Sequence, residues 1–150
     1  MNRVIGEIVA VNISETKGVV KKPIEIGVFK ENHGLVGDAH AGNWHRQVSL
    51  LDEKSIDKVG DLSGVGFCTG KFAENLTTKG IVLYELPIGT KLKIGTTIQE
   101  VTQIGKDCHV GCEIRALVGD CVMPREGIFT KILQNGEVKA GDKIEIIDER

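Results

Sequence analysis

Ile128-Phe-Thr-Lys-Ile-Leu133, Asn135-Gly136 and Gly141-Asp-Lys-Ile-Glu-Ile146 follow one another near the end of the chain. The first is rich in β-branched and aromatic residues and reads as a strand. Asn135-Gly136 predicts a tight hairpin turn, because both residues tolerate positive φ. Gly141-Asp142 then turns the chain into Lys143–Ile147, where charged and aliphatic residues alternate. Gly89-Thr-Lys-Leu-Lys-Ile94 repeats that pattern upstream. Six residues are too few to define a repeat architecture. Working outward, strands are expected at Val4–Ile13, Ile24–Phe29, Val48–Leu51, Ile81–Tyr84, Lys91–Ile94 and Thr97–Ile104. Asp52 is placed to cap a helix over Glu53–Val59, and Glu113–Val118 is a second short helix stopped by Gly119. Gly64 to Gly80 reads as irregular. Glycine is 19 of 150 residues and is spread along the chain, which suits turns between short strands. About seven strands with two short helices predict a mainly β fold, a closed or nearly closed barrel.

A chain of 150 residues is expected to form one domain over 1–150. It carries 19 basic and 21 acidic residues, and its halves are alike: 9 and 10 in residues 1–75, 10 and 11 in the rest. Neither a basic face for duplex nucleic acid nor an acidic tail stands out. Aromatic residues are 4% of the chain, too few for a base-stacking surface. Glu7 interrupts the first apolar run, which therefore reads as a strand and not as a signal peptide. No run approaches the roughly 18 apolar residues of a membrane span. The expected location is cytoplasmic, with no membrane or nucleic-acid partner.

In that compartment a cysteine cluster points to metal or catalysis rather than a disulfide framework. Three of the four cysteines, Cys108, Cys112 and Cys121, lie within fourteen residues, between two predicted strands. Lys106 and His109 flank Cys108 and favour its thiolate, and Gly111 permits close approach of a bulky ligand. Cys112 and Cys121 are secondary thiols or packing residues. Zinc ligation by this cluster lacks the usual second close pair. A Cys108–Cys112 redox pair lacks the Cys-x-x-Cys spacing. Cys68 reads as structural.

Two other stretches carry chemistry. Residues 30–47 form a long loop holding three of the four histidines. In Gly37-Asp-Ala-His-Ala-Gly-Asn-Trp-His-Arg-Gln-Val48, the glycines allow the backbone to approach an anion and Arg46 could fork onto a phosphate. Asp38, His40 and His45 could instead ligate a metal, or Asp38 and His40 could bond local backbone groups in a turn. In Gly70-Lys-Phe-Ala-Glu-Asn-Leu-Thr-Thr78, Lys71, Asn75 and Thr77 could cradle a polar ligand, or form the solvated face of a bulged edge strand.

Taken together the chain resembles the MOSC family, named for the C-terminal domain of molybdenum cofactor sulfurase. The resemblance rests on Gly37–Gly42 followed by Arg46-Gln-Val-Ser, on Gly70–Thr78, on Gly105-Lys-Asp-Cys108, and on Arg125-Glu-Gly-Ile-Phe-Thr through Gly141-Asp142. It implies a Greek-key-like β-barrel of the MOSC and pyruvate-kinase type, with a cleft for the molybdenum cofactor (molybdopterin) or its tungsten analogue. The family's hallmark cysteine matches Cys108, which would ligate the metal or carry sulfur. Arg46, Lys71, Asn75, Thr77 and Arg125 match polar positions around the pterin and its phosphate, and Asp38 and His40, in the same loop motif as Arg46, are expected to bind the cofactor too. No pyridoxal phosphate is expected in this chain, and the expected partners are cofactor-biosynthesis or sulfur-donor proteins. The expected role is a sulfur or cofactor carrier in cofactor maturation. The alternatives are a reductase of N-hydroxylated compounds with an external electron donor, and a zinc-stabilised interaction module. Whether the chain is an enzyme stays open at this point.

Overall fold

The computed structural model describes residues 2–16, 21–54, 74–105 and 127–147. Among the described residues eleven strands are formed: β1 (Asn2–Ile13), β2 (Lys22–Ile24), β3 (Ile26–Lys30), β4 (Gly34–Leu35), β5 (Val48–Asp52), β6 (Leu76–Lys79), β7 (Lys91–Ile94), β8 (Thr97–Ile104), β9 (Ile128–Gln134), β10 (Gly136–Lys139) and β11 (Lys143–Ile147). Seven of them close into a barrel in the order β1-β11-β7-β8-β9-β5-β6 and back to β1. Strand β11 returns to lie beside β7, which gives the 4-1-2-3 order of a Greek key across β11, β7, β8 and β9. The mainly β barrel fold is therefore as expected.

Alternation builds the core. On β8 the buried residues are Thr97, Gln99 and Val101, with the residues between them partly exposed. Ile8, Val11, Val48, Leu50, Leu76, Leu92, Ile94, Ile128, Ile132 and Ile144 fill the barrel with Val101. Thr130 Oγ1 donates to Gln99 Oε1 (2.6 Å), Gln99 Nε2 to Thr97 Oγ1 (3.0 Å) and Thr97 Oγ1 to the Ile94 carbonyl (2.7 Å), so this buried polar chain is internally satisfied. A small second sheet, β10-β3-β4, adds Phe29, Leu35 and Val138 to the same core.

Strands β5 and β6 run parallel, with Leu50 opposite Leu76. A parallel pair cannot be joined by a tight turn and needs a long crossover. That is why residues 53–75 intervene between two adjacent strands. At their start Asp52 Oδ1 accepts the Lys54 N–H at 3.1 Å, consistent with the expected cap. The rest of the expected helix, and the helix at Glu113–Val118, lie outside the described residues.

Four expectations fail in whole or in part. Asn135-Gly136 makes no hairpin: β9 pairs with β8 and β5, while β10 pairs with β3 in the other sheet. Gly136 is needed for closeness. A Cβ there would stand 2.5 Å from Thr96 Oγ1 and 2.6 Å from its carbonyl carbon. Asn135 instead accepts the Glu31 N–H on Oδ1 at 2.6 Å, tying the crossing point between the sheets. Second, Ile81–Tyr84 is not a strand. Gly80 (φ 81°) ends β6, the Ile81 N–H turns to Asp52 Oδ2, and Leu83–Glu85 forms a 3-10 turn. An apolar run without alternation does not by itself specify a strand. Third, Leu76–Lys79, inside the stretch read as irregular, is the barrel strand β6. Ile24–Phe29 is also interrupted, at Glu25, into β2 and β3.

Candidate functional site

The loop before β5 is built around a buried lysine. Lys21 Nζ donates to Asp38 Oδ1 at 2.7 Å and to Ser14 Oγ at 3.1 Å, and lies 3.1 Å from His40 Nδ1. An ammonium has only protons to offer, so Nδ1 is the acceptor. Both side chains of the Lys21–Asp38 pair are fully buried. Asp38 also accepts the Ser14 N–H (3.1 Å) and the His40 N–H (3.1 Å), the second a local turn of the Asx kind. Burial by itself raises the Asp38 pKa. The nearby His40, the Lys21 bond and charge, and the Ser14 N–H together outweigh burial and hold the carboxyl well below the usual carboxylate range.

Further bonds fix the rest of the loop. Trp44 Nε1 donates to the His40 carbonyl (2.8 Å) and the Gly42 N–H to the His33 carbonyl (2.7 Å). Gln47 Oε1 accepts the Ile132 N–H of β9 at 2.9 Å, standing in for a strand partner. Gly34 (φ 108°) lets the chain pass under Gln47, where a Cβ would meet the Gln47 carbonyl oxygen at 2.7 Å. Asp38, His40 and His45 do not converge as metal ligands. Among the described residues no group of three His, Cys, Asp or Glu is arranged to hold a metal ion.

Arg46 differs from its neighbours. Its guanidinium lies 4.7 Å from the Trp44 ring centroid and 5.7 Å from that of Phe129. Its buried Nε has no hydrogen-bond partner among the described residues. Among the described residues it makes no ion pair. A guanidinium held by ring faces, with donors unanswered, is suited to receive an anion.

Asn75 and Thr77 lie in the next strand region and are fully engaged. Asn75 Oδ1 accepts from the Ser49 N–H (3.0 Å) and Ser49 Oγ (3.1 Å), and its Nδ2 donates to the Asn12 carbonyl (3.3 Å). Thr77 Oγ1 donates to Glu74 Oε2 (2.6 Å) and accepts from Asn12 Nδ2 (3.0 Å). All four of Asn12, Glu74, Asn75 and Thr77 are buried. They tie β1, β5 and β6 together. In this group Asn12 Oδ1 has no hydrogen-bond partner among the described residues.

In sequence the cysteine segment follows β8 and precedes β9. The Gly105 N–H donates to the Gly127 carbonyl at 2.7 Å, which closes the stem from which residues 106–126 depart. Gln103 reaches both this stem and the Arg46 loop. Its Nε2 donates to the Gly105 carbonyl (2.7 Å), and its Oε1 is 2.8 Å from His45 Nε2. The fold thus links the loop carrying Arg46 to the stem of the cysteine segment. Cys108, Cys112, Cys121, Cys68, Lys71 and Arg125 lie outside the described residues. Reading the sequence alone missed Lys21, Gln47, Glu74 and Gln103. Lys21, beside Lys22-Pro23, looks like solvated charge, and Gln103 like one more outward residue of an alternating strand.

A seven-stranded barrel of this order, with an anion-suited arginine whose loop is tied to Gly105 through Gln103, defines a class, and the comparison with known families agrees. A model of the MOSC domain matches residues 37–145, well over half of the chain. The protein belongs to the MOSC domain family, whose members are associated with molybdenum-cofactor functions. Solved structures give the same fold. The YuaD protein of Bacillus subtilis aligns with a TM-score of 0.78 at 18% identity, covering 100% of this chain and 99% of that one. YiiM of Geobacillus stearothermophilus aligns at 0.66 and 15% identity, covering 99% and 76%. YiiM of Escherichia coli aligns at 0.67 and 16% identity, covering 100% and 71%. A search among curated protein sequences gave no match. Among the described residues no helix is long and apolar enough to cross a membrane.

Proposed function

We propose that this protein binds the molybdenum cofactor, or its tungsten analogue, and acts as a sulfur or cofactor carrier in cofactor maturation through Cys108. The observation that carries the reading is Arg46. Its guanidinium has no carboxylate among the described residues, its Nε is a buried orphan, and two aromatic rings hold it in place. A phosphate answers that arrangement with a forked pair of charge-assisted bonds. The described residues therefore fit the phosphate end of the cofactor. When bound, the cofactor would supply a metal centre.

The chain's own residues divide the work. Arg46 binds the phosphate, with Lys71 and Arg125 adding positive charge. Asp38 and His40 hold the loop in shape through Lys21. Asn75 and Thr77 fix the strand edge beside it. Cys108 would hold the metal as a thiolate or carry a persulfide, the reversible cap that a low-pKa thiol supports. The partners that follow are cofactor-assembly or sulfur-donor proteins. The test is persulfide transfer and metal retention by Cys108→Ala. Loss of both, with the barrel intact, is expected. Binding and transfer equal to the parent would refute the carrier role.

A further inference from the structure

The end of β8 makes contacts that serve no barrel pairing. The Thr102 hydroxyl donates to the His45 carbonyl and stands 3.2 Å from that of Phe129. Gln103, at a bulge where β8 shifts register against β9, carries the two further bonds described above. Their chemistry is directional. The Gly105 carbonyl can only accept, so it claims the amide nitrogen of Gln103. The amide oxygen that faces His45 can also only accept. The proton between them therefore sits on His45 Nε2. His45 is fixed as its Nε2–H form, and its Nδ1 has no hydrogen-bond partner among the described residues. His45 immediately precedes Arg46, and Gly105 opens the stem that leads to Cys108.

We propose that Gln103 is a positioning residue of this site: its carboxamide locks the His45 tautomer and couples the Arg46 loop to the stem of the cysteine segment. The role of that coupling in cofactor handling rests on the function proposed above; the coupling itself does not. Gln103 is half-buried and away from the core, so its variants keep the barrel.

The test is imidazole nitrogen NMR of the full chain at about pH 8, where a typical histidine is neutral, with hydrogen exchange read at the Gly105 amide. The parent is expected to show a protonated Nε2 and a bare Nδ1 for His45. Gln103→Leu removes both bonds. It should give a mixture of tautomers. The Gly105 amide keeps its own bond to Gly127. With the Gly105 carbonyl no longer held by Gln103, however, the stem opens more readily, and exchange there should be about five- to tenfold faster. Gln103→Glu keeps an acceptor for Nε2–H but has no donor for the Gly105 carbonyl. It should retain the His45 pattern and speed exchange alone, a split that a packing role would not produce. A parent His45 protonated on Nδ1, or a Gln103→Leu variant unchanged in both readouts, would overturn the proposal. Neither readout needs cofactor. Parent protein that passes both yet retains no cofactor refutes the functional reading alone. Cofactor retention beside unchanged Gln103→Leu readouts refutes the positioning role alone.

Discussion

The loop at residues 37–47 and the strand entry at 74–78 are both polar stretches beside glycines, and both read as ligand cradles in sequence. The fold treats them differently. Residues 75–77 enter the barrel between β1 and β5, so Asn12 and Ser49 answer their polar atoms from either side. Arg46 stands before β5 begins, outside any ladder, and its donors stay unanswered among the described residues. The difference teaches that polarity marks a candidate site only where strand pairing has not already supplied partners. Asp38 shows both sides within one loop. It lies eight residues before Arg46, yet a buried lysine engages it completely.

Breaking the frame should cost stability, and breaking the site should not. Lys21→Ala leaves the Asp38 carboxylate buried without its cation. It should destabilise the fold by about 3–5 kcal/mol, read by urea unfolding. The same pair predicts a pH signature. The Asp38 carboxyl is more acidic in the folded than in the unfolded chain. Its contribution is therefore in place above about pH 4 and is lost as pH falls through the lower folded value. The stability gap between the parent and Asp38→Asn should close in that acid window and stay constant between about pH 6 and 8. A gap that widens on acidification would contradict the assignment.

Asn75→Ala removes a side chain that bridges Ser49 and Asn12, and should cost about 2–4 kcal/mol. Near-neutral stability with lost cofactor binding would move Asn75 from frame to ligand contact. Gly136→Ala sharpens the reading of the crossing between the sheets. With Thr96 at 2.5–2.6 Å from the added Cβ, about 1–3 kcal/mol should be lost, whereas a hairpin glycine would respond through turn geometry instead. Smallest in stability is Arg46→Ala. It should change unfolding by less than about 1 kcal/mol, since only ring contacts are lost, while anion binding collapses.

Much of the barrel was legible. Lys91–Ile94, Thr97–Ile104 and Lys143–Ile147 form as their alternation predicts. What failed was local signal overruled by contacts distant in sequence. Asn135-Gly136 has hairpin chemistry, but its flanking strands belong to different sheets, and its glycine answers the closeness of Thr96. Leu76–Lys79 lacks a long apolar pattern because its polar face is buried against Asn12 and Glu74, partners invisible in a local reading. The site was legible in part. Arg46 and the cysteine segment stood out by residue type. Lys21 and Gln103 did not, because a buried lysine and a bridging carboxamide are defined only by what surrounds them.

The central claim is that Arg46 faces a ligand while Asn75 serves the frame. Its most direct test is anaerobic co-elution of metal and pterin with the parent, Arg46→Ala and Cys108→Ala, each checked for an unchanged unfolding curve. Retention of metal and pterin together by the parent, with loss in both variants, is the predicted result. Retention by Arg46→Ala and Cys108→Ala at the parent's level, or no retention by the parent where a known carrier retains the cofactor, would contradict the account.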